Sequence, residues 1–142
     1  MTASTKDKGH YFGIDVPFMR LIGLEAVSLT LETCLTRLPL NADNVNSRGI
    51  VHGGVLMSAL DFTLSAAARG HAPLEFSVVT IDLTTHFLNE AKSELEIEGR
   101  CVRRGKSIVF CEGDVRDREG RVAASAKGVF KLLDNARSKQ DR

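Results

Sequence analysis

Residues 46–69, NSRGIVHGGVLMSALDFTLSAAAR, constrain the fold more than any other stretch of the chain. A polar, glycine-rich turn opens it, and a long apolar run follows. Val55, Leu56, Met57, Ala59, Leu60, Phe62, Leu64, Ala66, Ala67 and Ala68 leave no wide polar face. A helix apolar nearly all round is a buried helix. A sheet must therefore wrap around it to keep it dry. Between Gly53 and Ala68 the run carries a single charged residue, Asp61. A carboxylate is almost never fully buried without a partner or a purpose.

The start of this helix carries its own signal. Gly53 and Gly54 remove side chains where the first backbone N–H groups lack intrahelical acceptors. Those donors, at the positive end of the helix dipole, suit a developing negative charge. Gly53 and Asp61 stand eight residues apart, about 12 Å along one axis. A carbonyl group held at Gly53 is out of reach of Asp61 of the same helix. A twofold-related helix running antiparallel alongside would present its own Asp61 to this Gly53. The spacing thus predicts a site shared between two subunits of an isologous dimer.

The rest of the chain supplies the wrapping. Val16 to Ile22 reads as one or two helical turns over a core edge. Leu24 to Leu38 has period two, which suits a half-buried strand or a strand pair with a bend. In that register Val27, Leu29, Leu31 and Leu35 share one side and Ser28, Thr30, Glu32 and Thr36 the other. Pro39 ends the segment. Residues 41–51 form an Asn- and Asp-rich loop. His71-Ala72-Pro73 closes the helix region. Phe76 to Leu88, Glu94 to Arg103, Lys106 to Asp117 and Arg121 to Leu133 then follow as strands, with Asp117-Arg118-Glu119-Gly120 as a turn. Their short connections predict an antiparallel sheet and an α+β fold. The expected extent is one domain over 1–142, with an ordered core over about 11–133 and solvated ends.

Composition narrows the function. A net charge of +1 does not suit a general nucleic-acid or membrane-surface binder. No apolar run reaches transmembrane length uninterrupted, and MTASTKDKGH lacks the apolar core of a signal peptide. Cys34, Cys101 and Cys111 have no motif spacing and read as reduced, buried residues of a cytoplasmic protein. His10, His52, His71 and His86 show no paired metal-ligand spacing.

The run LPLNADNVNSRGIVHGGVLMSALDFTLSAAA resembles the motif of hot-dog fold acyl-CoA thioesterases, with the PaaI-type (phenylacetate-degradation) subgroup as the best match. The likeness spans about Phe18 to Leu132 and centres on Asn-(x5)-His-Gly-Gly-(x6)-Asp. It implies a long helix wrapped by a curved antiparallel sheet, a homodimer, and often a tetramer made of two dimers. It implies thioester hydrolysis at the dimer interface, with coenzyme A entering only as part of the substrate and no separate cofactor. By that resemblance the Gly53 N–H polarises the thioester carbonyl. Asp61 of the other subunit is general base or nucleophile. Asn46 orients water or thioester, His52 braces the loop, and Thr80 positions water.

Other candidates have plainer readings beside functional ones. Asp61 could pair with Arg48. Gly53 and Gly54 could serve only helix packing, with Gly54 adding to substrate contact. His52 and Asn46 could be caps, and Thr80 an ordinary strand threonine. Ser65 lies one turn beyond Asp61. The cluster Arg103, Arg104, Lys106 and Ser107 lacks the glycine spacing of a phosphate loop and reads as a charged hairpin turn or as a grip on coenzyme A phosphates. Asp82 and His86 share a strand face and read as structural. Two rivals to hydrolysis remain at this point: a hot-dog enoyl-CoA hydratase or dehydratase, and a non-catalytic acyl-CoA-binding module.

Overall fold

The apolar run forms helix α2, Gly53–Ala68, and nine of its residues are buried. What covers it is a sheet on one side. The computed structural model describes residues 10–136. Its elements in order are β1 (His10–Tyr11), β2 (Ile14–Asp15), α1 (Pro17–Ile22), β3 (Glu25–Leu29), β4 (Thr33–Leu38), α2, β5 (Phe76–Phe87), β6 (Leu95–Arg104), β7 (Ile108–Arg116) and β8 (Val122–Asp134). Strands β3 to β8 make one sheet of order β3-β4-β6-β7-β8-β5, and every neighbouring pair is antiparallel. This is the expected α+β, hot-dog architecture. The small β1–β2 pair was not foreseen, and the expected solvated ends fall mostly on residues 1–9 and 137–142, outside the described residues.

Alternation decides which side of each strand meets α2. Val109, Cys111, Gly113 and Val115 of β7 are buried, while Phe110 and Arg116 are exposed. Leu95 and Ile97 of β6 and Ala124, Ala126 and Phe130 of β8 join them in the core. Two glycines let the helix come close. Gly99 and Gly113 lie directly opposite each other on β6 and β7. A Cβ on Gly99 would sit 3.0 Å from the Thr63 carbonyl oxygen, and one on Gly113 would sit 2.6 Å from Leu64 Cδ1. Thr63 and Thr36 bury their hydroxyls against each other at 2.8 Å, and Thr63 donates to the Ala59 carbonyl at 2.7 Å. This buried hydroxyl pair between helix and sheet is thereby satisfied.

The pattern over Leu24 to Leu38 resolves as a strand pair, β3–β4, and neither of the two expected sides is buried throughout. Cys34, Thr36 and Leu38 are buried, whereas Val27 and Leu31 are exposed. The turn at Thr30–Glu32 and a bulge between Ala26 and Ser28 reset the phase of the alternation. The apolar Val27-Leu29-Leu31-Leu35 series therefore does not survive as one face, and Thr63 compensates the burial of Thr36. A second difference concerns α2 itself. Gly54, Met57, Ser58, Asp61 and Ser65 form a stripe that one chain leaves incompletely covered, with Met57 44% exposed.

Both ends of α2 are tied down. Arg69 follows the last helical residue, is buried, and donates to the Pro73 carbonyl at 2.6 Å and the Tyr11 carbonyl at 3.3 Å. Arg104, reaching in from β6, donates to the carbonyls of Ala68 at 3.1 Å, Ala67 at 3.0 Å and Leu31 at 2.9 Å. The Arg104 guanidinium thus meets the negative end of the helix dipole, while that of Arg69 ties the following turn to Tyr11. Helix termination is carried by these groups, and Pro73 lies beyond the end.

Two changes test this packing. Gly113→Ala should lower stability by about 1–3 kcal/mol, because the added methyl overlaps Leu64 and the Glu98 carbonyl. Arg104→Met keeps the stem and strips the cap. It should cost about 1–3 kcal/mol in denaturant unfolding, with three carbonyls losing a charged donor.

Candidate active site

The first turn of α2 sorts its free donors. His52 is the N-cap, with φ −60° and ψ 135°. Its Nδ1 accepts a hydrogen bond from the Gly54 N–H at 2.8 Å. An accepting Nδ1 places the ring proton on Nε2. The His52 carbonyl accepts from Val55 N–H at 2.9 Å and Leu56 N–H at 3.1 Å. Among the described residues the Gly53 N–H has no acceptor, so it is the donor left over at the positive end of the helix. Gly54 has no such spare group, and a Cβ there would press on the His52 ring at 3.0 Å.

The loop before the helix is held by asparagines. Asn44 is fully buried; its amide donates to the carbonyls of Ile22 at 3.1 Å and Pro39 at 3.0 Å. Its backbone carbonyl accepts from His52 N–H at 3.0 Å, which aims the helix start. Asn46 spends its side-chain oxygen on the N–H groups of Arg48 at 2.9 Å and Ile50 at 3.2 Å. Its amide nitrogen is left for other partners. Asn44 was missed from the sequence, where nothing distinguishes it from the other asparagines of the loop.

About two turns beyond Gly53, the half-buried Asp61 meets β5. The Thr80 hydroxyl donates to Asp61 Oδ1 at 2.6 Å. Thr80 precedes a bulge between Thr80 and Asp82 on this edge strand. The plainer pairing of Asp61 with Arg48 is not formed, since Arg48 is paired with Glu90 at 2.5 Å. Among the described residues Asp61 therefore has a hydroxyl donor beside it and no cation paired with it. Ser65 turns its hydroxyl back to the Phe62 carbonyl at 2.9 Å.

The basic turn lies elsewhere. Arg103, near the end of β6, and Lys106 and Ser107, in the turn to β7, are exposed. Arg104 is engaged at the C-terminal end of α2, about 24 Å along the helix from Gly53. A single chain thus brings together Asp61 with Thr80, and His52 with Gly53 and Gly54. It unites neither group with the RRGKS turn. Cys34 and Cys111 are buried and Cys101 half-buried, and all three are free thiols. Burial pushes the Cys34 and Cys111 thiols up to about 12, far from nucleophilic reach. Among the described residues no three His, Cys, Asp or Glu side chains gather as metal ligands, and no helix is long and apolar enough to cross a membrane.

Two hollows complete the picture. One, about 560 Å³, lies on the sheet face turned away from α2 and includes Asp82, His86 and Phe110. Its Arg100 is already paired with Glu98 at 3.2 Å and Glu112 at 3.3 Å. The other, about 320 Å³, opens beside Gly53 between the helix start and the end of β5. Phe87, absent from the sequence candidates, stands against Gly53 there, with its ring 3.4 Å from where a Cβ would be.

Comparison with known proteins assigns the whole. The model of the Thioesterase superfamily matches residues 48–124, more than half of the chain, and takes in Gly53, Asp61 and Thr80. Two inferred esterases of Saccharolobus solfataricus are similar: one is 27% identical over 80% of this chain and 81% of its own, the other 32% over 77% and 73%. A conserved protein of Pseudomonas aeruginosa superposes with a TM-score of 0.80 at 25% identity, covering 92% of this chain and all (100%) of its own. A thioesterase of Haemophilus influenzae has the same fold at a TM-score of 0.76 and 17% identity, over 82% of each chain. With its helix, its sheet and its motif accounted for, the chain belongs to the Thioesterase superfamily and is a thioester hydrolase on the hot-dog fold.

Proposed function

We propose that the chain hydrolyses an acyl- or aryl-coenzyme A thioester to the free acid and coenzyme A, at a site shared by two copies of the chain. The observation that carries this is the division of labour along α2. A spare Gly53 N–H stands at one end, and an Asp61–Thr80 pair stands eight residues on, along the uncovered stripe. Neither group can serve one carbonyl from the same helix. The edge strand β5 supports the pairing of copies: it runs 12 residues with no neighbour on one side and exposes Val79 and Ile81. A long apolar edge calls for a partner. A Streptococcus mutans protein of the same fold, 20% identical with a TM-score of 0.76 over 88% of this chain and 97% of its own, was solved bound to acetyl-CoA. That supports coenzyme A thioesters as the substrate class. The HGG…D motif favours the PaaI-type subgroup and, with it, a tetramer built from two dimers.

In this mechanism the Gly53 N–H and the helix dipole hold the thioester oxygen as it gains charge. The partner subunit supplies Asp61, oriented by Thr80. By one route Asp61 takes a proton from water as the water oxygen attacks the acyl carbon. The tetrahedral intermediate then expels the coenzyme A thiolate, which takes up the proton. By the other route Asp61 attacks, the thiolate leaves, and water hydrolyses the mixed anhydride. His52 keeps Gly54 and the helix start in place, and the Asn46 amide faces water or the thioester. Gly54 and Ser65 flank the substrate path along the stripe. Antiparallel pairing would carry the partner's basic turn toward this Gly53, where Arg103, Lys106 and Ser107 suit the coenzyme A phosphates and Arg104 anchors the turn to α2. The free thiols fit a cytoplasmic setting.

Asp61→Ala should lower kcat about 10²–10⁴-fold with the fold intact, followed by release of free thiol from acyl-CoA. Thr80→Val should cost about 10–100-fold, the worth of one hydrogen bond to a charged group. Near wild-type turnover in Asp61→Ala, or hydration of crotonyl-CoA without thiol release, contradicts the assignment. Gly53→Pro removes the donor at a helix position that accepts proline, while its ring also presses toward Phe87. Mixing this variant with Asp61→Ala after subunit exchange should restore about a quarter of wild-type activity, since half of the dimers would hold one intact site. Sites contained within single chains would give no recovery.

A further inference from the structure

Two of the three thiols face each other across a strand pair. Cys101 of β6 stands directly opposite Cys111 of β7. The Cys101 N–H donates to the Glu32 carbonyl at 2.7 Å, on the β4 side of the strand. A residue bonded to one neighbouring strand turns its backbone groups away from the other, so Cys101 and Cys111 are a non-hydrogen-bonded pair. Such pairs hold their Cα atoms about 4.5 Å apart and draw their side chains together. Disulfides span Cα separations of about 4.4–6.8 Å. The pair lies two residues along each strand from Gly99 and Gly113, so both thiols share the α2 side of the sheet. Cys34 stands apart from them, opposite Gly99 on β4. Cys111 is 2% exposed, while Cys101 is half-buried. Burial is the main cause that raises both thiols, Cys111 to about 12, and the Arg104 guanidinium draws both back toward the thiolate.

We infer that Cys101 and Cys111 form a disulfide on exposure to low-molecular-weight disulfides, and that the bond staples β6 to β7 close to the turn that joins them. The inference stands independently of the hydrolase reading. Cys101, the more exposed of the pair, gives up its proton and attacks one sulfur of a disulfide RSSR. The S–S bond of RSSR breaks, a mixed disulfide forms on Cys101, and the departing thiolate takes up a proton. Cys111 then loses its proton and attacks the Cys101 sulfur, which expels the second thiol and closes the Cys101–Cys111 bond. RSSR gains two electrons and the two cysteines lose two, so one disulfide is exchanged for another. A thiol as buried as Cys111 is a poor nucleophile toward a molecule in solution. Its attack on Cys101 is intramolecular, where proximity offsets a small thiolate fraction.

The test treats the full chain with glutathione disulfide, removes the oxidant, blocks remaining thiols with iodoacetamide in denaturant, and digests with trypsin. Cleavage after Arg100, Arg103, Lys106 and Arg116 leaves the two cysteines on separate peptides, CVR and SIVFCEGDVR, so a bond between them appears as one joined mass. The expected product is that joined pair, with Cys34 alkylated, and dithiothreitol should separate it. In Cys111→Ala the glutathione should remain on Cys101. In Cys101→Ser the same treatment should leave Cys111 free to be alkylated. Closing this loop should raise Tm by about 5–10 °C over the reduced chain. Separate, alkylated peptides from the oxidised wild type overturn the inference. So does a bond to Cys34, or glutathione retained on Cys101 of the wild type. A joined pair with an unchanged or lower Tm overturns the stapling.

Discussion

An apolar helix of 16 residues lies against a single sheet, and it can do so only because the sheet is notched where the two meet. Gly99 and Gly113 form that notch across β6 and β7, and Thr63 and Leu64 of α2 fill it. The close approach brings the helix into the curve of the strands and buries nine of its residues. One sheet cannot enclose a cylinder. The remaining stripe, Gly54 through Ser65, is where the polar and charged side chains of the helix collect. The uncovered side of the core helix and the candidate site are thus the same surface.

The helix ends divide the electrostatic work. At the negative end, Arg104 satisfies the carbonyls of Ala67 and Ala68. At the positive end, His52 takes the Gly54 N–H and leaves Gly53 spare. A cap that satisfied every donor would stabilise the helix further and leave nothing for an oxyanion. The packed loop of Asn44, Asn46 and Ile50 holds that incompletely satisfied end in position. In the proposed mechanism its rigidity would make one free N–H usable, since a preorganised donor costs no reorganisation when charge develops.

Much of this was legible in residue order. The span of α2, the strand run after it, the lone acid and the glycine pair are all visible in local pattern, because burial writes itself as periodicity. The partner of Asp61 was not. Only the family resemblance singled Thr80 out, as positioning water; that its hydroxyl donates to Asp61 follows from the placement of β5 beside α2. Arg104 shows why charge clusters mislead: it sits in a run of basic residues, yet its guanidinium is folded onto helix carbonyls far from Gly53. The inner side of β4 was misjudged because a turn and a bulge shift the alternation by a residue, and a one-residue slip exchanges the two faces.

Sequence alone determined the element types, the α+β class, and the chemistry available at each end of the central helix, since these depend on neighbours a few residues apart. Tertiary structure decided which strand lies at the sheet edge, which N–H is left free, which hydroxyl serves Asp61, and that an apolar cleft lined by Phe87 opens beside Gly53. Those outcomes join residues 19 to 34 positions apart, such as Asp61 with Thr80 and Gly53 with Phe87. No local preference encodes such contacts; they arise only when the sheet closes on the helix.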